Sequence, residues 1–164
     1  MLLLSPENKR AIRWHAEREY PQECCGFLTA PLSSGLLGPL VVLPVTNAQD
    51  RLHRENPSLF QRTARDAFFM EPRELLDTEK KNRESGRFAA VIYHSHIDAD
   101  AYFSEEDERA ALMNGHPAYP GVLHLVVSVR AGRANHFRVF GWSQETRRFE
   151  EILGGSLTET PEPS

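Results

Sequence analysis

Apolar positions along the chain follow two rhythms, a spacing of about four residues and short continuous runs. Ile12 and Ala16 lie four apart behind Ser5, Pro6 and Glu7, which read as an N-cap, a pre-organised first helical residue and a dipole-favoured acid. They predict a helix running towards Tyr20 and stopped by Pro21. Residues 25–29 and 40–45 are short apolar runs separated by Pro31, Gly35, Gly38 and Pro39, which predicts a strand hairpin with a turn-rich connection. Residues 47–63 are mostly polar without a clear period and predict a loop, followed by a short strand at 67–70. Pro72 opens a second helix carrying Glu74, Leu75, Leu76 and Glu79, and Gly86 ends it. Residues 88–93 predict a buried strand aimed at His94, and 104–113 a helix. Gly115, Pro117, Pro120 and Gly121 then break the chain before two further strands at 123–129 and 135–142.

Helices and strands mix without a regular βαβ alternation, so the expected class is α+β, a mixed β-sheet flanked by helices. There is no internal repeat. A chain of 164 residues with 40% hydrophobic content can bury one core, which sets the expectation of a single domain over residues 1–152. Residues 153–164 are rich in Gly, Ser, Thr, Pro and Glu and are expected to form a disordered tail.

Composition narrows the function classes. A net charge of -4 and a pI near 6.0 lack the basic footprint of a nucleic-acid or anionic-membrane binder. The opening MLLLSPENKR holds too few apolar residues for a signal segment, and no apolar stretch reaches membrane-spanning length, so a soluble, cytoplasmic protein is expected. The only cysteines, Cys24 and Cys25, are adjacent, which excludes a disulfide framework and fits a reducing compartment.

The candidate chemistry lies in HSHIDADAYFSEED, where His94 and His96 are followed by Ser104 and Asp107. Residues two apart in an extended segment point to one side, so both imidazoles can share one metal ion. Asp107 offers a third ligand, the set zinc uses when one position stays open for water. The same residues also have an ordinary explanation: Ser104 with an acid three positions later is a capping box, and acids in a first turn suit the helix dipole.

HSH followed by seven residues, Ser, two residues and Asp resembles the JAMM motif of the MPN (JAB1/MPN/Mov34) metalloproteases, and PQECCGF resembles the segment carrying their catalytic glutamate. The resemblance covers the chain from about Ser5 to Glu150. It implies a cytidine-deaminase-like α+β fold with Zn2+ held by His94, His96 and Asp107 and a water as fourth ligand. It further implies Glu23 as the general base for that water and Ser104 as a stabiliser of the oxyanion. The implied reaction is hydrolysis of the bond after the C-terminal Gly-Gly of a ubiquitin-like or sulfur-carrier protein. A catalytically silent MPN scaffold that binds a protein partner, and a zinc hydrolase of a small amide, are the alternatives. Ile97 and Phe103 stand where the family commonly has proline, which leaves open the shape of the intervening loop.

Three weaker signals accompany this one. A thiol nucleophile at Cys24 or Cys25 has no histidine at supporting spacing. The basic residues between Arg51 and Arg65 suit a solvated face or a clamp on an acidic partner. Leu153, Gly154 and Gly155 resemble a ubiquitin-like tail, although a flexible linker is the ordinary reading.

Overall fold

The computed structural model describes residues 2–158. In chain order the elements are helix α1 (Pro6–Glu19), strands β1 (Cys25–Pro31) and β2 (Val41–Val45), helices α2 (Gln49–Glu55) and α3 (Pro72–Ser85), and strand β3 (Arg87–Ile97). Helix α4 (Glu105–Ala111), the short strands β4 (Leu112–Met113) and β5 (His116–Pro117), and strands β6 (Leu123–Arg130), β7 (Arg133–Ser143) and β8 (Arg148–Ser156) follow. Six strands form one mixed sheet in the order β2-β1-β3-β6-β7-β8, with β3 and β6 parallel and every other pair antiparallel. The four helices flank it, in agreement with the α+β expectation.

Alternation along the central strands divides the core between the two faces. Val91 and Tyr93 of β3 pack with Leu125, Val127 and Val129 of β6 against Ile12 and Ala16 of α1. Ser5 caps that helix through a reciprocal capping box with Asn8. Ile92 faces the other way, into a cluster with Cys25, Phe27, Val45 and Met70 that Leu75 of α3 covers. Val126, Phe140 and Phe149 make a third cluster beneath α4. Close packing at the β1–β3 seam depends on Gly26, where an added Cβ would lie 2.5 Å from Leu43 O and 2.6 Å from the Tyr93 ring.

Three expectations are corrected. The segment 47–63 contains helix α2, and its residues lack an apolar period because side-chain bonds stabilise it. Asn47 Oδ1 accepts from Gln49 N at 3.0 Å, and Asp50 Oδ1 accepts from Ala64 N at 2.7 Å. The expected strand at 67–70 is only an isolated bridge between Asn47 and Met70. Leu153 to Ser156 continue β8 where a disordered tail was expected to begin. Glycines pair through backbone alone, and here Gly154 lies opposite Arg138 and Gly155 opposite Phe137, so the resemblance to a free ubiquitin-like tail is superficial. Residues 159–164 of that expected tail lie outside the described residues.

Among the described residues no helix is long and apolar enough to cross a membrane. Gly26→Ala should lower stability by about 2 kcal/mol through overpacking against backbone and a buried ring. Chemical denaturation reads this directly, and a change within experimental error would show that the β1–β3 seam yields more readily than its contacts imply.

Candidate metal centre

The longest central strand delivers the histidines. His94 and His96 leave the same face of β3 near its C-terminal end, and both are buried. Cys25 lies opposite His94 in the β1–β3 register. One step further, Cys24 N donates to Ser95 Oγ at 2.8 Å and Ser95 N donates to Cys24 O at 3.1 Å. Continuing that register puts Glu23 level with His96 and on its face of the sheet. The Glu23 backbone is held on both sides, its N–H donating to Ala64 O at 2.7 Å and its carbonyl accepting from Asn47 Nδ2 at 2.9 Å.

Asp107 arrives from the first turn of α4. Ser104 Oγ accepts from Asp107 N at 3.0 Å and Asp107 Oδ2 accepts from Ser104 N at 3.0 Å, so the capping box fixes the carboxylate. That oxygen also lies 3.2 Å from His94 Nε2 and 3.1 Å from His96 Nε2, while the two ring nitrogens are 3.2 Å apart. Helix cap and metal ligand are therefore compatible roles of one carboxylate.

The neighbours decide which lone pairs face inward. His96 Nδ1 lies 2.9 Å from Asp100 O, and a carbonyl only accepts, so Nδ1 carries hydrogen and Nε2 presents a lone pair to the cluster. Phe68 stacks on His94 at 4.5 Å and orients that ring, whose Nδ1 has no hydrogen-bond partner among the described residues. His96 Nε2 and Asp107 Oδ2 bring two lone pairs to a point that His94 Nε2 also reaches, so the three atoms need a proton or a cation between them. His94, His96 and Asp107 are thus a group that could hold a metal ion.

A cleft of about 310 Å³ opens on this group, lined among others by Glu23, Arg62, His96, Ser104 and Asp107. Burial pushes Glu23 up to about 9, the negative charges of Asp107 and Asp66 add to the rise, and Arg62 opposes it. Burial would raise Asp107 as well, but His94, His96 and the Ser104 N–H outweigh it and hold that carboxyl far below the usual range. The cysteines play no part in the cleft: both are buried and free, and burial lifts the Cys24 thiol to about 12.

The family model of prokaryotic homologs of the JAB domain matches residues 5–141. The chain belongs to this family. Proteins of Mycobacterium bovis and Mycobacterium tuberculosis named CysO-cysteine peptidase are 26% identical to this JAB-domain chain over 161 residues, covering 98% of it and 89% of their own length. A solution structure of a Desulfitobacterium hafniense protein superposes with a TM-score of 0.67 at 22% identity, covering 93% of this chain and 90% of its own. A Salinibacter ruber protein gives 0.58 at 24% identity, covering 98% and 93%. These two structures bear on the fold.

The loop after the histidines is pinned without the family's prolines. Phe103 packs 5.4 Å from Phe140, 5.1 Å from Phe149 and 5.0 Å from His124. Asp98 N donates to Val129 O at 2.7 Å, and Ser128 Oγ donates to Ala99 O at 2.7 Å. Two supporting residues escaped the sequence reading. Ser95 joins the two catalytic-candidate segments, and Asn47 ties Glu23 to the 67–69 strip through a second bond to Ala67 O at 3.1 Å and a third from Phe69 N at 3.0 Å. The Ser between two histidines was a visible signal, whereas Asn47 in an aperiodic polar stretch offered none.

Metal-free protein carries a measurable consequence at Glu23. Between pH about 4.5 and about 9 the folded state holds a proton that the unfolded chain has lost, so stability falls as pH rises through that window. Glu23→Gln removes this loss and should stabilise the metal-free protein at pH 8 by on the order of 1–3 kcal/mol, the two proteins converging towards pH 4. Denaturant titrations at both pH values test it; equal stability at pH 8, or a gap that widens towards acid, contradicts it.

Proposed function

We propose that the chain is a zinc-dependent peptidase that hydrolyses the amide bond after the C-terminal Gly-Gly of a sulfur-carrier protein. The observation that carries this reading is the convergence of His94 Nε2, His96 Nε2 and Asp107 Oδ2 within 3.1–3.2 Å of one another on a cleft that also presents Glu23. Tetrahedral zinc with ligands at about 2.0–2.1 Å separates them by roughly 3.3 Å, so the three atoms need open by only about 0.2 Å. Two imidazoles and a carboxylate are a donor set zinc accepts, with one position left for a reacting group. The name of the mycobacterial relatives, CysO-cysteine peptidase, supports a carrier conjugate as substrate and cysteine as the released group. The Gly-Gly preference follows from the family resemblance, and a narrow cleft would admit a tail without side chains. Two buried, unbridged thiols suit a cytoplasmic setting.

Bound zinc supplies Lewis acidity, which acidifies water and polarises the scissile carbonyl. Glu23 takes one proton from the attacking water and returns it to the departing nitrogen as the amide C–N bond breaks. Burial of Glu23 raises the affinity of its carboxylate for that proton. Ser104 Oγ uses a lone pair to accept from Asp107 N, which leaves its O–H to donate to charge growing on the carbonyl oxygen. Asp107 and His96 are held by their own hydrogen bonds and stay fixed through the reaction.

With a Gly-Gly-cysteine carrier conjugate and zinc-loaded protein, cysteine release should fall about 10³-fold in kcat for Glu23→Ala. For Ser104→Ala the loss should be about 10²-fold with KM little changed. Full turnover by Glu23→Ala would remove the proton-transfer scheme, and absence of cysteine release from the wild type would remove the substrate assignment.

A further inference from the structure

We propose that Arg62 recognises the free α-carboxylate of the single amino acid released from the carrier, so that the chain acts at a terminal residue and not at a lysine isopeptide bond. The proposal rests on the peptidase reading above. An amino acid attached by a bond that a peptidase cuts is joined through its nitrogen, and its own carboxylate then stands free two bonds from that nitrogen. Whatever protonates the nitrogen must therefore share a small cleft with whatever binds the carboxylate. A lysine ε-nitrogen in a conjugated protein has no such charge nearby, since the lysine's own carboxyl is tied up in the main chain.

Arg62 meets that requirement. It lines the cleft with Glu23 and Ser104, on the segment between α2 and α3. Its carbonyl is anchored by buried Gln49, whose Nε2 donates at 2.8 Å, so the backbone is fixed while the guanidinium remains about half exposed. Glu23 feels the positive charge of Arg62, which opposes the rise caused by burial. A carboxylate already occupies the guanidinium: Arg62 Nη2 lies 3.3 Å from Glu106 Oε1. The pair is exposed on both sides and therefore weak, and the same Glu106 oxygen is also bound by Arg109 Nη1 at 3.2 Å. Glu106 keeps a cation when Arg62 turns to an incoming carboxylate, so the exchange strands no charge. Arg65, the other cation of the cleft, pairs instead with Asp98, which Tyr20 Oη and Ala131 N also hold.

The test uses a sulfur-carrier protein ending in Gly-Gly-cysteine, prepared with the cysteine as free acid or as carboxamide, and the same carrier joined to a lysine side chain. Zinc-loaded wild type should favour the free acid over the carboxamide by about 30-fold in kcat/KM, the scale of one charge-assisted bidentate contact. The isopeptide should fare no better than the carboxamide. Arg62→Met should collapse the acid-to-amide ratio below about 3-fold, Arg62→Lys should restore part of it, and Arg65→Met should retain it. Equal cleavage of acid and carboxamide by the wild type overturns the assignment while leaving the peptidase reading intact. Equal losses on both substrates in Arg62→Met, or collapse of the ratio in Arg65→Met, also overturn it. Cleavage of none of the three removes the peptidase reading and this assignment with it.

Discussion

The reciprocal bonding of Cys24 with Ser95 is the constraint on which the site depends. It joins the residue after Glu23 to the residue between the two histidines, so one strand pairing sets the spacing of all three candidate groups. Alternation does the rest: Ser95 turns to one face and bonds Cys24, while His94 and His96 turn to the other, where His96 lines the cleft and His94 lies buried behind it. A slip of one residue between β1 and β3 would send both imidazoles into the core under α1. Gly26 enforces the register, since no side chain fits between Leu43 and Tyr93 there.

A second economy lies at α4. Its first turn carries Glu105, Glu106, Asp107 and Glu108, a favourable excess of acid at a helix N-terminus, yet only Asp107 turns to the histidines. The capping box that starts the helix holds the same carboxylate oxygen that faces both rings. Burial there is tolerable because three groups, two imidazoles and the Ser104 N–H, surround the charge. The loop leading into α4 gains its shape from Phe103 in an aromatic cluster, and packing replaces the proline rigidity that the family pattern suggests.

Much of this was legible from residue order. The i, i+2 histidines after an apolar run, the Ser-x-x-Asp spacing and the turn signals around α1 and α3 are local features, and local physics determines their form. What remained hidden depends on contacts distant in sequence. Helix α2 has no apolar face and persists through Asn47, Asp50 and Gln49 bonding segments up to 28 residues away. The end of β8 looked like a linker because Gly154 and Gly155 carry no pattern, and only β7 alongside them makes a strand. Asn47 and Gln49 support the site by bonds that no motif encodes.

The central claim is that His94, His96 and Asp107 hold zinc. Metal analysis of protein purified with zinc and then dialysed, combined with X-ray absorption at the zinc edge, tests it most directly. One zinc per chain with two imidazole nitrogens and oxygen ligands is expected, and loss of that zinc from a folded His94→Ala, His96→Ala double variant should follow. Zinc retained unchanged by the double variant, or a wild type that keeps none, would contradict the account.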